Sequence, residues 1–147
     1  IQSLWSLPEF RKDDYRDAVF ATTEQLIQHM YTPEDGLFPD YAGAFYYQYG
    51  DHPFPDGARA EGLMAAYRLA KDLGDEPRSR KYHAALKASI KSMYLLVNTR
   101  KSLYSVPNPE KALGGIRFKL TRQWFRIDTI GHPAHVFVDF SPEWGRY

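Results

Sequence analysis

The 147 residues contain no cysteine. That absence removes disulfide scaffolding, thiol catalysis and cysteine-ligated metal, while leaving the compartment open. Charge of one sign is lacking too: 19 Lys and Arg stand against 18 Asp and Glu, a formal net charge of +1. No global field therefore draws the chain to nucleic acid or to an anionic membrane, and no Lys/Arg tract or RNA-binding signature is present. Apolar runs never approach the roughly 18 residues of a membrane span, and no signal-peptide pattern is visible. Also missing are a Ser-His-Asp order, a phosphate-binding glycine loop and a dinucleotide fingerprint. Gly114-Gly115 lacks the strand-then-helix setting of such loops and reads as a tight turn.

Aromatic residues are what the chain has in excess, 16% in all, with Tyr 11 and Phe 9. The hydrophobic share of 44% and the charged share of 25% are ordinary for a globular domain. The length suits one domain over residues 1–147 with a real core. The opening Ile1-Gln2-Ser3-Leu4-Trp5 is already rich in core residues and has no methionine. A fragment or subunit of a larger protein is the expectation, with Ile1 to Phe10 as a packed arm or an apolar contact surface.

Apolar spacing predicts four helices. The first follows Asp13-Asp14, carries Tyr15, Ala18, Val19, Thr22, Leu26 and Met30, and stops before Pro33. The second starts at Asp56 or Gly57 and ends at Gly74-Asp75, with glycine in a C-cap position. The third begins near Pro77, a residue suited to a first turn. Its short connection to the second predicts an antiparallel αα-hairpin. A last helix is expected over Ile130 to Phe140, with Pro133 in its first turn. Between them, Phe45 to Tyr49, Leu103 to Val106, Ile116 to Leu120 and Trp124 to Ile127 read as short extended pieces.

The segment from Gly114 to His135 concentrates Arg117, Arg126, Asp128, His132 and His135 among apolar residues. Charges in such company are costly unless paired. Arg126 and Asp128, two apart in extended chain, share a face, and His132 follows Asp128 by four. One reading is a carboxylate and an imidazole acting as acid and base on a sugar ring, with arginine holding a substrate carboxylate. The other is an Arg-Asp pair that fixes a strand-to-helix corner. His132 and His135, three apart, would need Asp128, Asp139 or His52 as a third ligand. The spacing matches no defined zinc motif, and neither metal nor cofactor is expected. Glu61, just inside the second helix beside Arg59, is either a general acid or base or a carboxylate favoured by the helix dipole. Asp51-His52, near Asp56, is a cleft rim or a solvated turn. Tyr46, Tyr47 and Trp124 offer flat faces for sugar stacking, or they plug a small core.

The phrase Asp56-Gly57-Ala58-Arg59-Ala60-Glu61-Gly62-Leu63-Met64-Ala65-Ala66-Tyr67 resembles a hairpin helix of the (α/α) toroid proteins, which include six-hairpin glycosidases and sugar epimerases. Arg126-Ile127-Asp128-Thr129-Ile130-Gly131-His132 is similar to a phrase near the end of glucuronyl C5-epimerase-like proteins, with Thr129 where those carry tyrosine. The resemblance covers about the last two thirds of the chain. It implies a mainly α fold, with antiparallel αα-hairpins packed as an arc of a toroid and short β-hairpin insertions. It also implies a carbohydrate-active domain, epimerase- or glycosidase-like, for an acidic sugar or polysaccharide. Glu61, Asp128 and His132 are then the acid/base candidates. Arg59, Arg117 and Arg126 would bind the anion, with Tyr46, Tyr47 and Trp124 as the stacking platform. The alternative is a non-catalytic helical module that docks on a partner chain, self-associates or completes a larger assembly.

Overall fold

A computed structural model describes residues 13–35, 41–46, 54–122 and 124–147. The expectations for Ile1 to Phe10, Tyr47, Asp51 and His52 lie outside them. The chain is mainly helical. Four long helices carry it: α1 (Asp13–Gln28), α2 (Gly57–Asp72), α3 (Glu76–Tyr94) and α5 (Ile127–Phe140), with a single turn α4 (Pro109–Ala112) between the last two.

Each boundary of the central hairpin has a local cause. The Asp56 carboxylate accepts from the Arg59 N–H at 3.1 Å, and Asp75 does the same for Arg78 at 3.1 Å. Both satisfy amides that a helix N-terminus leaves without a partner. Gly74 at φ +70° turns the chain between the helices, and the Asp75 N–H closes on the Ala70 carbonyl. Pro77 sits in the first turn of α3, where its missing N–H costs nothing.

The helices alternate in direction. Contacts along α2 and α5 advance together, from Gly57 beside His132 and Pro133, through Arg68 with Asp139, to Lys71 with Glu143. α2 and α5 are thus parallel. α1 and α3 are parallel as well, because Phe20 lies under Arg78 and Glu24 meets Lys81 and Tyr82. Between these two layers sits the core of Phe20, Leu63, Tyr67, Tyr82, Leu86 and Met93, closed by Val136 and Phe140 from α5. Leu63 and Leu86 are fully buried, and each contributes about 2 kcal/mol by leaving water. Ala60, Ala66 and Ala70 are fully buried too and let α2 approach its neighbours closely.

Two expectations need correction. Pro133 is inside α5, not in its first turn, because the helix starts at Ile127. The Thr129 hydroxyl bonds the Arg126 carbonyl at 2.9 Å and the Asp128 carboxylate takes the Thr129 N–H, so the first turn closes earlier than spacing suggests. An interior proline costs about 3 kcal/mol in a free helix. Here it packs where α2 has only Gly57, at which a Cβ would stand 2.4 Å from Pro133 Cδ. The second correction concerns Leu103 to Val106, which is not extended: Arg100–Leu103 is a 3₁₀ turn. Thr99 N–H bonds Ser102 Oγ and Ser102 N–H bonds the Thr99 carbonyl, a side-chain lock that favours a turn. Elsewhere isolated antiparallel bridges join Met30 with Phe45, Val97 with Ile116 and Lys119 with Arg122. The piece expected over Trp124 to Ile127 enters no bridge among the described residues and gives up Ile127, with Asp128 after it, to the first turn of α5.

Candidate functional site

Parallel packing puts the N-terminal halves of α2 and α5 at one end of the molecule, and most of the predicted site residues gather there. Glu61 spans the two helices. Its Oε2 is 2.9 Å from His132 Nδ1 and its Oε1 is 2.9 Å from His135 Nδ1. A carboxylate only accepts, so each imidazole carries its hydrogen on Nδ1. His135 Nε2 then lies 3.5 Å from Asp139, and Asp139 pairs with Arg68 at 2.9 Å. His132 Nε2 has no partner among the described residues. It is left as a proton acceptor on a half-exposed ring, its orientation set by Glu61.

Asp128 is engaged elsewhere. Arg126 grips both of its oxygens, Nε at 3.0 Å and Nη2 at 2.6 Å, and the Thr129 N–H adds a third bond. The Arg126 guanidinium, ahead of every other cause, holds the Asp128 carboxyl below the usual carboxylate range. Asp128 is therefore held as a fixed charge one turn before His132 by Arg126.

Of the predicted anion-binding residues, Arg59 pairs with the Asp56 carboxylate at 2.7 Å and lies over the Phe45 ring. Arg126 lies over Phe118. Arg117 belongs to a different task. Its guanidinium donates to the carbonyls of Leu95 and Leu96, satisfying the C-terminus of α3. Trp124 stacks on Phe118 with ring centroids 4.4 Å apart, and Phe118 stacks in turn on Phe54. Trp124 and Tyr46 are both about half exposed, and Tyr46 meets Tyr31 edge-on.

The space beside Glu61, lined by Met64, His135, Val136 and Asp139, is too narrow to admit a water molecule. No group of three or more metal-ligating side chains among the described residues is arranged to hold a metal. Both Nδ1 atoms face Glu61's own oxygens instead of a shared point. Among the described residues, no helix is long and apolar enough to cross a membrane.

Comparison with family models, curated proteins and solved structures finds no match to this chain. The site's chemistry has to be read from its geometry.

Sequence reasoning missed a second cluster, at the other end of the same helix pair. Glu143 accepts from Tyr67 Oη, Lys71 Nζ and Arg146 Nη1, each at 2.8 Å. The Lys71 ammonium, then the Arg146 guanidinium, hold its carboxyl down at about 2. Burial, and then the bond to Glu143, push the Tyr67 hydroxyl well above its ordinary range. His83, 2% exposed, donates from Nε2 to the Glu143 carbonyl at 2.7 Å. The available signal was positional: His83 lies three before Leu86 and seven before Ile90, on the buried stripe of α3.

Proposed function

We propose that the chain is a carbohydrate-active domain, an arc of an (α/α) toroid with short hairpin insertions, that engages an acidic sugar at the shared N-terminal end of α2 and α5. The observation that carries this reading is Glu61 bonded to both His132 and His135 across the two helices. A carboxylate that fixes two imidazoles and leaves His132 Nε2 open is an acid/base arrangement for moving a proton on a bound ring. Parallel α2 and α5, backed by parallel α1 and α3, fit the two layers of a toroid. The Trp124–Phe118–Phe54 stack supplies a flat surface for a sugar ring, and Arg59 over Phe45 and Arg126 over Phe118, each paired with a carboxylate, keep further N–H donors.

The test uses a uronate trisaccharide in D2O. Deuterium entry at C5 of the ring marks epimerase chemistry, and new reducing ends mark hydrolysis. Either should vanish in His132→Ala and fall in Glu61→Gln. Absence of both reactions, together with no saturable binding by calorimetry, would sink the reading.

The second reading, a helical module that docks on a partner, is favoured by one face of α5. Ile127, Gly131, Ala134 and Val138 recur at helical spacing and are all exposed, Ile127 at 93% and Val138 at 72%. Concentration-dependent mass in light scattering, abolished by Val138→Glu, is the outcome that this reading requires.

A further inference from the structure

α3 and α5 run antiparallel, with His83 against Tyr147 and Lys87 over the Trp144 ring. Beside that contact lies an open pocket of about 850 Å³. Ile90, Leu95, Phe137, Phe140 and Trp144 make its apolar lining. Its size and character are those of a small-molecule pocket. One end is stopped. Trp144 stands beside Lys87, and Ala42 is pinned there by its neighbour Gly43, at which a Cβ would lie 2.2 Å from the Ala88 carbonyl oxygen. At φ +87°, Gly43 takes a backbone conformation that few other residues accept.

The polar atoms in the lining select the ligand. Both serine hydroxyls give their hydrogen to backbone carbonyls, Ser92 to Ser89 and Ser141 to Val138. Among the described residues of the lining, the polar side-chain groups left without a partner are the Lys91 ammonium, the Tyr94 hydroxyl and the Trp144 indole N–H, and all three can donate. The nearby carboxylates are committed, Asp139 to Arg68 and Glu143 to Lys71 and Arg146. A sugar, with hydroxyls all round, finds little here to pair with. A single acceptor group on an apolar body matches the lining throughout.

We infer that this pocket binds an amphiphilic anion, a long-chain carboxylate. Its tail lies along Leu95, Phe137 and Trp144, the part of the apolar lining that is not fully buried, and its head group meets Lys91 and Tyr94, three apart in α3. This site is separate from the Glu61 end and stands whether or not a sugar binds there.

Calorimetry with dodecanoate below its micelle concentration tests the inference, with dodecyltrimethylammonium as the opposite-charge control and circular dichroism confirming that each variant folds. Saturable 1:1 binding of dodecanoate is expected, with quenching of indole fluorescence that Trp144→Phe removes. Lys91→Glu, on an exposed position, should weaken dodecanoate about tenfold, the equivalent of one charge-assisted contact. Equal binding of the two detergents, no saturable binding, or an unchanged affinity in Lys91→Glu would each overturn it.

Discussion

At one end of the α2–α5 pair, Glu61 faces two imidazoles that are each about half exposed. At the other, Glu143 is enclosed by Tyr67, Lys71 and Arg146, with buried His83 on its carbonyl. The two carboxylates are equally shielded, at 21% and 20% side-chain exposure. Burial therefore does not separate them; their partners do. Glu143 meets two permanent cations and a tyrosine, which hold it as a charge and tie the 3₁₀ turn Ser141–Glu143 to α2. Glu61 meets two imidazoles, and it leaves one ring nitrogen, His132 Nε2, open. The closed end serves stability, and the open end is the one we propose for chemistry.

The largest effect should come from the joint between α2 and α5. Gly57→Ala places a Cβ against the Pro133 ring and the His132 carbonyl carbon, atoms that cannot swing aside. We expect a loss of about 3 kcal/mol in urea unfolding; a loss under about 0.5 kcal/mol would mean that the contact is loose.

Next comes the contrast itself. Glu143→Ala strands buried Tyr67 and the Lys71 ammonium, and should cost about 2 kcal/mol. Glu61→Ala, whose imidazole partners stay solvated, should cost less than about 1 kcal/mol. Equal losses would erase the distinction between the ends.

The same contrast has a pH signature. The Glu143 carboxyl is depressed from an ordinary 4.5 to about 2. Its stabilising contribution is thus complete above the ordinary value and is lost as pH falls through the folded one. The stability gap between the parent chain and Glu143→Gln should shrink steadily over that acid interval, as followed by urea midpoints. A gap that stays constant down to about pH 2 would contradict the assignment. The smallest effect is expected from Arg117→Ala, about 0.5 kcal/mol in urea unfolding, because it uncaps carbonyls that water can still reach.

Helix ends were legible in the sequence because Asp56, Gly74, Asp75 and Pro77 each act on their own turn. Leu103 misled because an apolar-tyrosine alternation looks extended, while the deciding Thr99–Ser102 bonds involve residues outside it. Glu61 and His132 were both visible as candidates, but a bond between residues 71 apart depends on α2 and α5 being parallel, which no local spacing encodes. Arg117 shows the reverse case. Its charge suggested a ligand, and only the end of α3 beside it reveals why it is there. The Tyr67–His83–Glu143 cluster escaped for the same reason, since its members come from three separate elements.

The most direct test follows the imidazole carbon-bound protons by NMR at fixed pH while a uronate trisaccharide is added, with His83 as the internal control. Saturable shifts are expected at His132 and His135 and none at His83, with loss of those shifts in Glu61→Gln. Unmoved signals at His132 and His135, or a response confined to His83, would contradict a sugar site at the Glu61 end.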